Sequence, residues 1–283
     1  MSVKIPKKRG RPSKADIAAR LALTVDTRSD AEILTDLKER FGLLDLLTRG
    51  AVHGHIRSVT VSGAPGVGKT YSVTSILDDA KENLGINAEL VNGSISPVNL
   101  YKMAYRHRHP GSVMVLDDVD EVFNSDESLS ILKALCDSGA RRLVSWMKES
   151  NAIIQDDVPQ QFEFNGSVIA ISNVDFQKVI DTGRTKYTDH IEALMSRSLY
   201  LDLRLHTRRE LLVWIEYVAE QNGIFIREGV TKAQGKAIIQ FLRENLDGLR
   251  ELSLRTITKS TDLVKLHKDK WSQFARILLL KNT

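Results

Sequence analysis

Gly63-Ala64-Pro65-Gly66-Val67-Gly68-Lys69-Thr70 is a loop built for phosphate. The pattern Gly-x-x-x-x-Gly-Lys-Thr meets one physical demand. Backbone N–H groups must curl around phosphate oxygens, and only a stretch with little side-chain bulk can curl that closely. Lys69 supplies a point charge for the outer phosphates, and the Thr70 hydroxyl is a ligand for Mg²⁺. The helix that follows, opening with Tyr71, turns the positive end of its dipole to the same place. The flanks suit the motif. His55 to Ser62 reads as a short β-branched strand running into the loop. Tyr71 to Ala80 carries apolar residues at Val73, Ile76, Leu77 and Ala80, the spacing of a helix.

A second motif lies further on, at Val113-Met114-Val115-Leu116-Asp117-Asp118. A continuous apolar run is what a buried parallel strand looks like, and carboxylates at its C-terminal end sit where open α/β sheets bind ligands. Asp117 is placed to hold Mg²⁺, directly or through water, and Asp118 to polarise the water that attacks a terminal phosphate. Glu121 follows closely and competes with Asp118 for the acid's role. With a triphosphate as ligand, ATP contacts are expected from Gly63, Ala64, Pro65, Gly66, Val67, Gly68, Lys69, Thr70 and Tyr71.

Composition narrows the class. Hydrophobic residues make up 42 % of the 283, enough for a sizeable core, yet no apolar run approaches the roughly 18 residues of a membrane span. The single cysteine, Cys136, excludes an internal disulfide framework and fits a reducing compartment; it lies on an apolar helix face and reads as core packing. The basic N-terminus has no apolar stretch behind it, so it does not read as a secretory signal. A cytoplasmic protein with no membrane partner is expected.

Charge is unevenly placed. The first twenty residues carry Lys4, Lys7, Lys8, Arg9, Arg11, Lys14 and Arg20 against Asp16, a balance of +6, which leaves −2 for the remainder of a chain whose net charge is +4. Within that tail, Arg9-Gly10-Arg11-Pro12 looks like an AT-hook, a short extended element for the minor groove of A·T-rich DNA. Gly10 lets the backbone approach the groove floor and Pro12 keeps the chain extended. A solvated basic tail or a localisation signal is the plainer reading.

The remaining elements follow in order. Ala15 to Leu23 is expected to form a short helix with Ser13 as its cap, and Asp30 to Phe41 a clearer one that Gly42 ends. Leu43 to Leu47 and Ala51-Val52 then begin the globular domain and line the adenine pocket. Ala88 to Val91 reads as a strand, Pro97 to His107 as a helix with proline in its first turn, and Asp126 to Ala140 as another helix. Leu143 to Trp146 and Gln161 to Phe164 are alternating segments that pair as a hairpin. Val168 to Asn173 is a buried strand ending in an amide, and Asn173 is within reach of the attacking water or a phosphate oxygen. A helix ending in Arg197 precedes the strand Leu199 to Leu203. Four helices close the chain: Thr207 to Gln221, Thr231 to Leu246, Ser253 to His267 and Lys270 to Leu280.

The ordered set resembles the AAA+ ATPases over residues 40–283. The fold implied is α/β, a phosphate-loop NTPase core with a parallel sheet flanked by helices and a C-terminal all-helical lid. The domains expected are a basic tail at 1–28, the nucleotide-binding domain at 29–205 and the lid at 206–283. By resemblance Asn173 is sensor 1, Arg197 the arginine finger that enters a neighbouring subunit's site, and Arg255 the sensor 2 arginine. Arg184 and Lys186 compete for the finger's role, and Arg250 for that of sensor 2. The family pattern ends the acidic strand in Asp-Glu, where this chain has Asp117-Asp118. The resemblance implies ATP and Mg²⁺ as cofactors, hydrolysis of ATP, and self-assembly into a homo-oligomeric ring, by family habit a hexamer.

Three roles compete. The first is an oligomeric ATPase in DNA metabolism, a replication or recombination accessory, loader or DNA-bound motor, in a bacterial or phage-infected cell. The second is a remodeller of a protein partner, and the third a slow ATP-dependent switch. Polypeptide-threading relatives carry an aromatic-apolar-glycine loop after the second strand; Asn92 to Pro97 has no aromatic residue, which favours the first. So does the excess of Lys and Arg after residue 254.

Overall fold

The computed structural model describes residues 27–183 and 185–281. The tail motif at Arg9 to Pro12, the helix expected at Ala15 to Leu23, and Arg184 lie outside the described residues.

Five apolar segments form one parallel sheet. In chain order they are β1 (Ser58–Ser62), β2 (Asn87–Asn92), β3 (Ser112–Asp117), β6 (Ser167–Ser172) and β7 (Leu199–Asp202), arranged β2-β3-β6-β1-β7. β1, β3 and β6 are buried at every position, as their unbroken apolar runs require. Alternation then sorts their side chains between two cores. Val113, Val115, Ile169 and Ile171 join Val59 and Val61 on one face, while Met114, Leu116, Val168 and Ala170 point to the other. A short antiparallel hairpin, β4 (Leu143–Ser145) with β5 (Gln161–Glu163), pairs Val144 with Phe162 as the alternation predicts.

Helix α1 (Asp30–Val52) does not stop at Gly42. A glycine inside a helix costs only about 1 kcal/mol relative to alanine. The apolar stripe continues beyond it through Leu44, Leu47, Ala51 and Val52, all buried, and that burial outweighs the glycine. These four residues therefore belong to the core; of the stretch expected to line the adenine pocket, Asp45 does line a cavity, beside the phosphate loop. α2 (Lys69–Leu84) starts inside the phosphate loop and ends at Gly85, whose φ of 65° supplies the left-handed cap. α3 (Pro97–Arg106) begins with proline at its first turn, as expected. α4 (Asp126–Leu135) ends five residues before Ala140, where Cys136 caps it and is buried. α5 (Asn151–Gln155), α6 (Phe176–Thr182) and the 3₁₀ turn Asp120–Asn124 are too short for periodicity to reveal. α7 (Thr188–Met195) places Arg197 two residues beyond its end.

The C-terminal helices are α8 (Arg208–Gln221), α9 (Ile224–Arg227), α10 (Lys232–Glu244), α11 (Leu254–Leu266) and α12 (Trp271–Leu279). They build a third core around Ile215, Ile238, Leu242, Ile257 and Ala275. α8 joins this core to the sheet. Its Leu212, Ile215 and Ala219 face the helical cluster, while Val213, Trp214 and Val218 pack into the core that covers β1. Among the described residues no helix is long and apolar enough to cross a membrane.

Candidate functional site

The loop leaves β1 at Ser62 and enters α2 at Lys69. A Cβ at Gly63 would stand 3.1 Å from the Leu203 backbone, a tight contact that favours glycine at the loop's first position. Gly66 and Gly68 stand at φ of 71° and 100°, conformations that other residues adopt at a cost. Gly68 begins the helix without any side-chain cap, which leaves the first N–H groups of α2 free to meet an anion.

Lys69 is buried against this loop. Its Nζ donates to the Gly63 carbonyl at 2.6 Å, the Ala64 carbonyl at 2.9 Å and the Asn173 Oδ1 at 3.0 Å. Burial lowers its pKa to about 8, against the pull of Asp118, Asp117 and Asp120. The ammonium is thus desolvated and held by neutral carbonyl oxygens, which a phosphate oxygen outcompetes.

The acids divide sharply. Asp117, at the end of β3, is buried beneath Thr70, whose Oγ1 donates to its carboxylate at 3.0 Å, and Asn92 Nδ2 donates to the same group at 2.9 Å. Burial raises the pKa of Asp117, with these hydrogen bonds acting the other way. Asp118 leaves the strand at φ 51°, one of two non-glycine residues at positive φ among those described. This turn brings its carboxylate to Asn173, whose Nδ2 donates to Oδ1 at 2.6 Å. Asp118 and Asn173 share a cavity of about 200 Å³ with Pro65, Gly66, Lys69, Thr70 and Arg255. Glu121 is not in it; its carboxylate accepts from the backbone of Ile95 at 2.9 Å and from the Ser94 hydroxyl.

Arg255 reaches the cavity from the first turn of α11, and the Leu254 N–H donates to the Gly66 carbonyl at 2.9 Å. Arg250, the competing arginine, donates to the Leu280 carbonyl at 2.6 Å, within the lid. Arg197 is not brought to this cavity: it pairs with Asp137 at 3.5 Å and lies beside Lys133 and Arg141. Lys186 pairs with Asp126 at 3.5 Å. The C-terminal basic stretch is partly engaged by acids, with Lys259 on Glu251 at 2.8 Å and Lys265 on Glu228 at 2.9 Å. That pairing weakens its reading as a polyanion-binding face.

A second cavity has an aromatic wall that no local signal in the sequence reveals. It has a volume of about 610 Å³ and adjoins the first, sharing Gly68, Tyr71 and Leu254 with it. Its walls include Phe41, Asp45, Trp214 and Tyr217. Phe41 and Trp214 stack with ring centroids 3.9 Å apart, and Trp214 Nε1 donates to the Val67 carbonyl at 2.9 Å. The lid therefore touches the phosphate loop at two carbonyls, Gly66 and Val67. Lys69, Thr70, Asp118, Asn173 and Arg255 come together, Asp117 is bonded to Thr70 behind them, and Tyr71 lines both cavities.

The donor set suits a hard divalent cation: a threonine hydroxyl against a carboxylate, both oxygen. Among the described residues no cluster of three His, Cys, Asp or Glu side chains is placed to hold a metal alone. Phosphate oxygens would complete the shell of Mg²⁺ here, as is usual for that ion.

No protein-family model matches the chain. It is 35 % identical over 244 residues to an uncharacterized 36.7 kDa protein from the nrdC–mobD intergenic region of Enterobacteria phage T4, covering 86 % of this chain and 74 % of that one. Among solved structures, domain III of the Thermotoga maritima replication initiation protein DnaA superposes with a TM-score of 0.54 at 13 % identity, over 86 % of this chain and 93 % of that one. The chain thus belongs to the family of the phage T4 protein, and its fold is that of the AAA+ ATPases.

Proposed function

We propose that this protein is an ATPase that binds ATP with Mg²⁺ across the two adjoining cavities and works in DNA metabolism. The convergence of Lys69, Asp118, Asn173 and the lid's Arg255 on one cavity carries this reading. A combined space of this kind, half polar loop and half aromatic wall, fits a nucleoside triphosphate. Thr70 and Asp117 would hold the Mg²⁺, which would supply charge neutralisation at the outer phosphates. Lys69 exchanges its carbonyl partners for phosphate oxygens. Asp118 accepts the proton of the attacking water, and Asn173 fixes the carboxylate's orientation and that of the water. Arg255 meets charge on the terminal phosphate, so hydrolysis requires a docked lid. Arg197 completes the site of a neighbouring copy in a homo-oligomeric ring. Residues 29–205 then form the nucleotide-binding domain and 206–283 the lid, with the basic tail at 1–28 as the DNA contact.

Two observations support the DNA assignment: the tail's Arg9-Gly10-Arg11-Pro12, and a fold shared with a replication initiation protein. The test is the steady-state ATP hydrolysis rate against protein concentration, with and without A·T-rich duplex, at two salt concentrations. Stimulation by duplex that fades with salt is expected. A rate that rises with protein concentration but ignores DNA would overturn the DNA assignment in favour of a protein partner.

A further inference from the structure

Glu121 follows β3 closely yet faces away from the phosphate cavity, and its partners say why. The loop between β2 and α3, Gly93 to Ser96, is exposed except for the buried Ile95. At its start the Gly93 N–H donates to the Asp117 carbonyl at 3.4 Å. At its middle one Glu121 oxygen accepts from both the Ile95 N–H, at 2.9 Å, and the Ser94 hydroxyl. Glu121 sits in the 3₁₀ turn that begins two residues after Asp118. Another member of that turn, Asp120, is fixed to the β6 end by the Ser172 hydroxyl at 2.6 Å. Asp118 itself stands at φ 51°, a conformation an aspartate keeps only when its surroundings hold it.

We propose that Glu121 is a positioning residue, a latch between the 93–96 loop and the 3₁₀ turn that keeps Asp118 aimed at the phosphate cavity, and not the hydrolytic acid. This rests on the ATPase reading above. The latch works by accepting hydrogen bonds, so it needs an oxygen and not a charge. A glutamine retains the accepting oxygen; a proton-accepting acid cannot be replaced that way.

The experiment compares ATP binding and steady-state turnover in Glu121→Gln, Glu121→Ala, Ser94→Ala and Asp118→Asn. Glu121→Ala should lower kcat by about tenfold with KM for ATP within about twofold, since a shifted reacting group costs rate more than binding. Glu121→Gln should recover most of the wild-type kcat. Ser94→Ala, an exposed substitution that leaves the fold alone, should lower kcat less than Glu121→Ala and add little on top of it. If Glu121→Gln is as inactive as Glu121→Ala, or Glu121→Ala turns over at the wild-type rate, the latch is wrong. Inactive Glu121→Gln with active Asp118→Asn would instead move the hydrolytic role to Glu121, while absence of ATP binding by the wild type would strike the ATPase reading itself.

Discussion

Gly66→Ala would strain the contact through which the lid reaches the phosphate loop. A methyl at this position lies 2.8 Å from Ser253 Cβ and 3.1 Å from its Oγ, and Ser253 caps α11, which carries Arg255. The backbone there has φ of 71°, which costs an alanine about 1–2 kcal/mol. The overlap adds about 1–3 kcal/mol, because Ser253 is buried and held by its N–H to the Thr256 hydroxyl and by its own hydroxyl to the Glu251 carboxylate. Gly54 provides the control, with the same φ of 71° and nothing within 4 Å of an added methyl. Gly54→Ala should therefore show the conformational cost alone. By thermal unfolding, Gly66→Ala should melt several degrees lower than Gly54→Ala, at roughly 2–4 °C per kcal/mol for a chain of this size. If the overlap is relieved by lifting α11, the Leu254–Gly66 hydrogen bond breaks and Arg255 leaves the cavity. ATP hydrolysis should then fall to the level of Arg255→Ala. Equal melting temperatures for the two alanine variants, with full turnover in Gly66→Ala, would refute this account of how lid and loop meet.

Further outcomes follow from the same geometry. Arg255→Ala should retain ATP binding within about tenfold and lose about a hundredfold or more in kcat, read by equilibrium binding and phosphate release. Arg197→Ala should abolish hydrolysis while ATP binding survives, and added Lys69→Ala protein should restore turnover if Arg197 acts in a neighbour's site; unchanged turnover in Arg197→Ala alone would refute the assignment. Trp214→Phe keeps the stack on Phe41 but removes the bond to the Val67 carbonyl, so it should cost about 1 kcal/mol of stability by denaturant titration and weaken ATP binding. Deleting residues 1–14 should weaken duplex binding and flatten its salt dependence, measured by fluorescence anisotropy.

The parts of the site that depend on residue type at fixed local spacing were legible in the sequence. Gly63 to Thr70 and Val113 to Asp118 each carry their meaning within eight residues, and both stand where expected. Asn173 and Arg255 were legible only through the order of elements along a known fold, and both reach the cavity. The aromatic wall was not legible. Phe41 and Trp214 each look like ordinary apolar positions on helices, and only packing α1 against α8 makes them a pair. Which of Asp118 and Glu121 lines the cavity was likewise not legible locally: Asp118 turns at a positive φ and lines it, while Glu121 does not. The end assigned to α1 at Gly42 failed because local propensity is weak beside the burial of Leu44, Leu47 and Ala51.

ATP binding and turnover measured side by side in the wild type and Asp118→Asn test the central claim most directly. The account predicts that both proteins bind ATP with similar affinity in Mg²⁺ and that Asp118→Asn loses turnover by about a hundredfold or more. Undiminished turnover in Asp118→Asn, or a wild type that binds no nucleotide, would contradict it.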